Sequence, residues 1–245
     1  MLEKVGVIIP HFNHGATLGL VLDALEAYAL PCLVVDDGSR LEDWEAARRA
    51  AARPGVELLR LERNGGKGIA VTAGFRAAWE RRWTHAALID ADNQHDAADL
   101  SRFLRECRGN PEALILAAPR FGADAPWGRI VGRQSSRFWV WLETASFAIE
   151  DPLCGYRIYP LEAVRCVLEK RDVGRHMDFD PEIAVRLIWA GTPIINIPSR
   201  VRYAPGGISH FRMVRDNLLI SRMHARLCVE RLARLGAGIF RKAPQ

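Results

Sequence analysis

Short runs of apolar residues alternate, along the first half of the chain, with stretches in which apolar residues recur at helical spacing. The runs are rich in Val, Ile and Leu and stop at a proline, a glycine or a carboxylate, which is typical of strands buried on both faces. Predicted strands span 4–10, 32–39, 56–62, 85–90 and 113–119, and predicted helices span 16–30, 41–52, 69–82 and 97–108. This alternation predicts an α/β fold with a mostly parallel, Rossmann-like central sheet and helices on both faces.

The pattern weakens beyond Arg120, and no regular element is predicted for 121–160. The end of that stretch, EDPLCGYRIYP, is interpreted as a loop. A helix over 179–190 begins near Pro181, where proline is tolerated. A final strand over 192–198 completes the predicted domain.

The C-terminal segment carries the positive charge of the chain. The formal net charge is +5, whereas 208–245 alone contains eight Lys or Arg and two acids. Apolar residues at helical spacing within 208–235 predict one amphipathic basic helix or two. We therefore divide the chain into a domain over 1–207 and a helical tail over 208–245.

Three partners suit such a tail. A basic amphipathic helix favours an anionic membrane surface. Packing against the domain and homo-oligomerisation are the alternatives. Nucleic acid is not expected, because the tail has few aromatic residues for stacking and resembles no nucleic-acid reader.

The composition is that of an ordinary globular protein. The 245 residues suffice for one substantial α/β domain, and 49% are apolar. The five cysteines are scattered and form no CxxC pair, so we expect a reducing compartment without disulfides or a zinc site. Neither a signal peptide nor a transmembrane segment is predicted. The expected location is the cytoplasm, peripheral on the inner face of the cell membrane.

Two carboxylates follow the predicted strand over 85–90. Because alternate residues of an extended chain point the same way, Asp90 and Asp92 face one point beyond the strand end. Two converging carboxylates need a shared proton or a cation, and oxygen ligands suit Mg²⁺ or Mn²⁺. The alternative interpretation is a solvated turn with a helix-capping aspartate.

Two other segments carry candidate nucleotide chemistry. Asp36 and Asp37 end the second strand, either to bond a base or ribose or to form an Asx turn. The segment 64–68, NGGKG, precedes a helix. Its glycines and Lys67 suit either phosphate binding or a flexible turn. It is not a Walker A loop, and no GxGxxG follows the first strand.

The segments together are more specific than each alone. In order, the chain contains VIIPHFN, VVDDGS, NGGKGIAVTAGF, LIDADNQHD and DPLCGYR. Over roughly 4–210 it resembles the inverting glycosyltransferases of family 2, which have the GT-A fold. The closest group looks like the dolichol-phosphate mannose synthases and their bacterial relatives.

The resemblance implies a role for each matching residue. The implied donor-binding residues are Pro10, Phe12, Asn13, Asp36, Asp37, Lys67, Asp90, Ala91, Asp92 and Gln94, with Asp90 and Asp92 as ligands of Mg²⁺ or Mn²⁺. The implied catalytic residues are Asp151, at the position of the family's usual base, with Arg120 and Arg133 facing phosphates. The implied acceptor and phosphate-binding residues are Ser136, Arg157, Glu182, Arg202, Ser209 and His210.

One segment departs from the mannose synthases, which resemble Arg-x-x-Gly-x-Ser-Lys where this chain has RYAPGGISHFR. Arg202 stands two positions early and His210 replaces the lysine. The departure argues against a simple transfer of polyprenyl-phosphate capture to this chain, although Arg212 and Arg215 offer replacement cations.

The resemblance implies metal-dependent, inverting transfer of a sugar from a GDP- or UDP-sugar to a lipid-linked acceptor such as a polyprenyl phosphate. The alternative acceptor is a hydroxyl of a glycan, lipid or small metabolite, with Asp151 as base. An anionic phosphate acceptor needs no base. A nucleotidyltransferase fits less well, because PHFNHG after the first strand has only one glycine.

Overall fold

The computed structural model describes residues 4–121, 127–201 and 212–236, with side chains undescribed for 127–130. The strands are β1 (Val5–His11), β2 (Cys32–Asp36), β3 (Val56–Arg60), β4 (His85–Leu88), β5 (Leu114–Phe121), β6 (Arg157–Pro160) and β7 (Ile194–Val201). The helices are α1 (Gly15–Glu26), α2 (Leu41–Ala51), α3 (Lys67–Glu80), α4 (Leu100–Gly109), α5 (Trp127–Thr144), α6 (Leu161–Leu168), α7 (Phe179–Trp189) and α8 (Met213–Gly236), with a 3-10 turn at Ala97–Asp99.

The described strands form one seven-stranded sheet in the order β3-β2-β1-β4-β6-β5-β7. All neighbours are parallel except those of β6, which runs antiparallel to both β4 and β5. Because β6 is reversed, its beginning lies at the edge where its neighbours end. The residues before β6 therefore meet the residues that follow β4 and β5.

Two apolar layers cover the sheet. Alternate β1 residues face opposite layers, with Ile8 in one core cluster and Val7 and Ile9 in the other. Helices α3, α6 and α7 pack on the first face, and α1 and α4 pack on the second. The predicted mixed α/β architecture, with a mostly parallel sheet between two helical layers, is confirmed.

The region after β5 is more regular than the sequence predicted. Helix α5 was not predicted, because the exposed face of its second half carries the apolar residues Phe138, Trp139 and Leu142, which blur the amphipathic pattern. The segment interpreted as a loop over 150–160 ends in strand β6. Helix α3 begins at Lys67, inside the glycine-rich segment.

Helix α8 is continuous and lies against the domain. Ile220, Met223 and Leu227 on its inner face belong to the same core cluster as α3 and α7. This face therefore packs against the domain, which was one of the three predicted roles of the tail. Within the described ranges, we find no helix with the length and apolar character needed to cross a membrane.

Candidate active site

The residues after β4 meet the start of α3 and of α7 at the carboxyl edge of the sheet. Lys67 Nζ lies 2.8 Å from Asp90 Oδ1 and 2.9 Å from Asp180 Oδ2, so one ammonium group bridges two carboxylates. Burial alone would lower the pKa of Lys67, but Asp180 and Asp90 outweigh it and hold that pKa above its usual value. Lys67 is therefore charged, and it neutralises Asp90.

Asp92 stands beside this bridge, and no Lys or Arg among the described residues forms an ion pair with it. Burial, and next the charge of Asp90, raise the pKa of Asp92 above its usual value. Asp92 Oδ1 accepts a hydrogen bond of 3.0 Å from the backbone N–H of Gln94. Ala91, between the two aspartates, is buried, and its carbonyl accepts a 2.6 Å bond from the Thr17 hydroxyl. These hydrogen bonds fix the strand end in place, whereas burial and the charge of Asp90 disfavour the ionised form of Asp92.

The carboxylates at the end of β2 form hydrogen bonds with other groups of the protein. Asp36 Oδ1 lies 2.8 Å from His11 Nδ1, and its Oδ2 accepts a 3.2 Å bond from the backbone N–H of Ser39. Burial would raise the pKa of Asp36, but the bonds from His11 and Ser39 lower it overall. Asp36 is therefore an ionised, fully buried anchor of the β1 and β2 ends.

Asp37 caps the glycine-rich segment. Its carboxylate accepts 2.8 Å bonds from the backbone N–H groups of both Gly65 and Gly66, and a 2.9 Å bond from the Asn64 amide. Gly66 has a φ of 100°, and a side chain there would collide with His176. These N–H groups were predicted to approach a phosphate. In this structure they bind Asp37, because the loop folds back onto the end of β2.

The predicted donor residues after β1 form the opposite wall of this region. Pro10 is buried within the strand, and Phe12 is partly buried after it. Asn13 has a positive φ of 54°, and its backbone N–H donates a 2.9 Å bond to the Ser39 hydroxyl. The β1 end is therefore bonded to the β2 end rather than open.

A second, cationic pocket lies between the end of β5 and helix α5. It is lined by Arg120, Arg133, Arg137, Glu150 and Asp151, together with Ala118, Pro119, Phe121 and Gln134. Arg133 Nη1 lies 2.8 and 2.7 Å from the two oxygens of Asp151. Asp151 Oδ1 also accepts a 2.9 Å bond from the backbone N–H of Leu153. Among the residues that the structure describes, three arginines and two acids line the pocket, so its described lining is net positive.

Comparison with known proteins decides the family. The model of glycosyl transferase family 2 matches residues 6–165, which include Lys67, Asp90, Asp92 and every residue that lines the cationic pocket, but not Asp180. The chain belongs to glycosyl transferase family 2.

Curated relatives of this glycosyltransferase cover most of its length. It is 30% identical over 207 residues to an undecaprenyl-phosphate mannosyltransferase of Micrococcus luteus, covering 80% of this chain and 82% of the relative. It is 30% identical over 212 residues to a polyprenol monophosphomannose synthase of Mycolicibacterium smegmatis, covering 80% and 76%. The predicted membership of family 2 is confirmed.

Solved structures agree on the fold. Glucosyl-3-phosphoglycerate synthase of Mycobacterium tuberculosis in complex with Mg²⁺ and UDP superposes with a TM-score of 0.70 at 17% identity, covering 94% of this chain and 79% of that one. The same enzyme with Mn²⁺ and UDP-glucose gives a TM-score of 0.68 at 16% identity, with 94% and 79% covered. The predicted GT-A fold is confirmed.

Three predicted acceptor residues of this glycosyltransferase lie away from the cationic pocket. Arg157 is fully buried, and it donates bonds of 2.6 to 2.7 Å to the carbonyls of Pro152, Cys154 and Asp180. The prediction that it binds phosphate is not supported, because its donors hold the loop before β6 and the start of α7. Arg157 therefore stabilises the backbone around the site.

Glu182 and Ser136 are likewise buried in the scaffold. Glu182 accepts a 2.8 Å bond from Arg186 Nε and a 2.9 Å bond from the backbone N–H of Gly174, and it also pairs with Arg226 of α8. Ser136 Oγ lies 3.5 Å from His224 Nε2, between α5 and α8. Neither side chain lines the cationic pocket, and the implied acceptor binding by either residue stays a prediction. Arg202, Ser209 and His210 lie outside the described residues.

We call Lys67, Asp90, Asp92, Asp180 and Gly155 the Asp90 cluster. Sequence reasoning missed two of these residues, Asp180 and Gly155. Asp180 shares Lys67, but its only sequence signal is its place in the first turn of α7. Gly155 lies directly against Lys67 Nζ and Asp90, where a side chain would meet both below 3.0 Å. The glycine in DPLCGYR is therefore required by the close approach of the loop to the end of β4.

The Asp90 cluster fits a divalent cation. Asp90 and Asp92 offer carboxylate oxygens, the ligand type that Mg²⁺ and Mn²⁺ prefer. The raised pKa of Asp92, caused by burial and by Asp90, is relieved when a cation binds. Among the described residues, no group of three His, Cys, Asp or Glu is placed to ligate one ion. Asp90 and Asp92 would therefore hold the ion with water and donor phosphates completing its shell.

Lys67 competes with such an ion for Asp90, which gives a first prediction. Replacing Lys67 by Met removes the ammonium 2.8 Å from Asp90, so we expect Mn²⁺ to bind about tenfold more tightly without nucleotide. Titration of Mn²⁺ by electron paramagnetic resonance measures this. Lys67→Arg keeps the charge and should leave the affinity close to that of the native protein. Unchanged or weaker Mn²⁺ binding by Lys67→Met would contradict the competition.

Proposed function

We propose that this glycosyltransferase moves a sugar from a nucleoside-diphosphate sugar, a GDP- or UDP-sugar, to a polyprenyl phosphate, with inversion at the anomeric carbon. Asp90 and Asp92 would hold Mg²⁺ or Mn²⁺, which would supply positive charge for the departing diphosphate. The single observation that carries the proposal is the pairing of Arg133 with Asp151 inside a net positive pocket. The mannosyltransferase and mannose synthase relatives support the same acceptor class by their names.

The pairing disfavours a base and favours a phosphate site. Both Asp151 oxygens accept from Arg133, and one also accepts from Leu153 N–H. Three hydrogen bonds already occupy this carboxylate, so little of its accepting capacity is left for the hydroxyl that a base must contact. A phosphate acceptor is already anionic and needs no base. The described lining has three arginines against two acids, and this net positive charge favours a phosphate.

The proposed reaction is a single displacement. A phosphate oxygen of the acceptor attacks the anomeric carbon from the face opposite the nucleotide and forms the new bond. The bond between that carbon and the diphosphate oxygen breaks, and its electron pair leaves with the nucleoside diphosphate. Lys67, bridged to Asp90 and Asp180, lies where its ammonium can turn to the leaving diphosphate.

Ligand binding tests the donor and cation without turnover. A thermal-shift screen of GDP- and UDP-sugars with Mg²⁺ or Mn²⁺ should raise the melting temperature for the true donor, because binding to the folded state alone stabilises it. Transfer of labelled sugar to undecaprenyl phosphate then tests the acceptor. Loss of the label to water, or its transfer to a glycan hydroxyl only, would reject the proposed acceptor.

Asp151→Asn separates the two acceptor classes. With a polyprenyl phosphate we expect kcat to change less than about fivefold, because no proton has to be removed. With a hydroxyl acceptor and Asp151 as base, the loss would be roughly 10² to 10⁴-fold. Steady-state rates with each acceptor measure this. Glu150→Gln, a neighbouring exposed carboxylate paired with Arg120 at 3.3 Å, is the matched control.

The outer face of α8 fits a peripheral enzyme at a membrane, which is where we place it. A polyprenyl phosphate lies in the bilayer, so the enzyme must meet it there. The proposed location is the inner face of the cell membrane, where a cytoplasmic nucleotide-sugar donor and an acceptor in the bilayer could meet. The residues 208–235 were predicted to contact anionic lipid, and the described part from Arg212 exposes Arg215 and Arg222.

A further inference from the structure

Asp180, in the first turn of α7, uses only one of its two carboxylate oxygens. Its Oδ2 lies 2.9 Å from Lys67 Nζ, whereas its Oδ1 is buried and has no hydrogen-bond partner among the described residues. The side chain as a whole is only 5% exposed. Because a buried carboxylate is stabilised by hydrogen bonds to both oxygens, Oδ1 is open to a hydrogen-bond donor that comes from outside the protein.

Other buried carboxylates at this end of the protein use both oxygens. Asp36, Asp37 and Glu182 each accept hydrogen bonds at both from neighbouring groups of the chain. Glu143 also has an unpartnered oxygen, but it lies between α5 and α8. Asp180 is therefore distinguished by an unpartnered oxygen beside the candidate cation site.

Lys67 joins Asp180 to that cation site. Its Nζ also lies 2.8 Å from Asp90 Oδ1, so the two carboxylates stand on either side of one nitrogen atom. The backbone of Gly155 closes the cluster, because a Cβ there would collide with both Nζ and Asp90. Asp180 therefore adjoins the place where the donor diphosphate is proposed to bind.

Arg157 fixes Asp180 beside the cationic pocket as well. Its guanidinium donates a 2.7 Å bond to the Asp180 carbonyl and a 2.6 Å bond to the carbonyl of Pro152. Pro152 directly follows Asp151, which lines the pocket. Because Arg157 is fully buried, this link is held rigidly within the protein. Asp180 thus adjoins both the proposed donor site and the proposed acceptor site.

The transferred sugar is the part of the substrates that must touch both sites. It is bonded to the donor diphosphate, and the acceptor attacks it. We infer that Asp180 Oδ1 accepts a hydrogen bond from a hydroxyl of the donor sugar and that Asp180 helps to determine which sugar is transferred. The inference rests on the proposed function for the position of the diphosphate.

Lys67 couples this contact to the arrival of the donor. The ammonium group holds Asp180 in this structure, and its three N–H groups can be redirected because the side chain is long. When the ammonium turns to the donor diphosphate, Asp180 loses part of its pairing. A sugar hydroxyl then replaces it with a charge-assisted hydrogen bond. Recognition of the sugar therefore accompanies recognition of the diphosphate.

Comparing a nucleoside diphosphate with its sugar conjugate tests the contact. Isothermal titration of the full-length protein with Mn²⁺ compares GDP with GDP-mannose and UDP with UDP-glucose. Asp180→Asn should weaken binding of the nucleotide sugar about tenfold or more, because a hydrogen bond to a charged group is lost. The amide turns its oxygen to Lys67 and leaves the sugar an NH₂ group, which accepts no hydrogen bond. Binding of the nucleoside diphosphate should be unchanged or tighter, because Lys67 is held less strongly.

Asp178→Asn is the matched control. Asp178 lies two positions earlier, and its Oδ1 accepts a 2.9 Å bond from the backbone N–H of His176, which an amide oxygen can also accept. Both affinities should stay close to those of the native protein.

Donors that each lack one hydroxyl locate the contact. With the native protein, loss of the hydroxyl that bonds Asp180 should weaken binding about tenfold or more, because the buried oxygen is left unpaired. Asp180→Asn should show little further loss with that same donor. Equal affinity of the native protein for every such donor would reject a hydroxyl contact, and this measurement serves even if Asp180→Asn does not fold.

Two further outcomes would overturn the inference. Equal weakening of nucleoside diphosphate and nucleotide sugar by Asp180→Asn would limit Asp180 to holding Lys67. Native-like binding of the nucleotide sugar by the same variant would remove the contact altogether. The melting temperature without ligand verifies that the variant is folded.

The proposed function fails by different results. If the native protein binds no nucleotide sugar, the donor class is wrong and the inference falls with it. If nucleotide sugars bind and Asp180→Asn leaves them unchanged, only the inference falls. If binding depends on Asp180 but no prenyl phosphate receives the sugar, the acceptor is wrong and the contact with the sugar stands.

Discussion

Asp92→Asn is expected to lower kcat/KM for sugar transfer by at least 10²- to 10³-fold, roughly the loss when one stabiliser of transition-state charge is removed. Among the described residues, Lys67 bridges Asp90 and no ammonium group pairs with Asp92, so the charge of Asp92 is the one more available to a divalent cation. The amide cannot replace that charge. The donor diphosphate would then leave without the cation that stabilises it.

The fold should survive the same change. Burial and the charge of Asp90 raise the pKa of Asp92, so its ionised form costs stability at neutral pH and a neutral amide removes that cost. The melting temperature without metal should therefore stay equal or rise. Mn²⁺ titration should show the lost affinity directly.

Asp96→Asn provides the matched control for the activity loss. Asp96 lies four positions on and caps the 3-10 turn through the Ala98 N–H at 3.0 Å. We expect its turnover within about twofold of native, because no step places Asp96 at the donor. Native-like transfer by Asp92→Asn with a range of donors would show that the cation site is elsewhere.

Glu182→Gln is expected to lower the free energy of unfolding by about 3 kcal/mol. Glu182 is fully buried, and its two oxygens accept from Arg186, Arg226 and the backbone of Gly174. The amide leaves the buried Arg186 without a full counter-charge and offers one acceptor oxygen fewer. The resemblance assigned this residue to the acceptor, whereas the structure gives it a place between α7, α8 and the loop before them.

Urea unfolding measures the loss, and Glu57→Gln is the control. Glu57 pairs with Arg81 but is 60% exposed, so its loss should be within about 1 kcal/mol. The second readout is KM for the acceptor, measured on folded Glu182→Gln below its unfolding temperature. An unchanged stability with a raised acceptor KM would restore Glu182 to the acceptor site.

The strand-end chemistry could be predicted because one rule governs it. Parallel strands end at one edge, so Asp90 and Asp92 after β4 necessarily meet residues that follow β1 and β2. Lys67, which follows β3, arrives there for the same reason, whereas the loop before β6 arrives there because that strand is reversed. The resemblance then added which side chains matter, and the family comparison confirmed the fold.

The remaining features of the site depend on which way each side chain points, and a sequence motif does not encode that direction. Arg157 and Glu182 match family positions, but only the packing decides that their side chains point inward. Asp37 and the N–H groups of Gly65 and Gly66 bind one another, and two separate sequence segments give no sign of that. Asp180 was missed because its partner Lys67 comes from another helix.

Helix α5 was missed for a different reason. Its exposed face is apolar, whereas the pattern used to recognise a helix assumes a polar outer face.

The position of strand β6 bears on how acceptor choice can differ among related enzymes. Everything proposed to hold the donor comes from β1, β2, β4 and the starts of α3 and α7, whereas the cationic pocket comes from β5, α5 and the loop before β6. In the sheet, β6 lies between the strands of the donor region and those of the cationic pocket. It is hydrogen-bonded to β4 on one side and to β5 on the other. Exchange of 113–156 between relatives would therefore alter the acceptor and leave most of the donor chemistry intact, so acceptor choice can evolve as an independent trait.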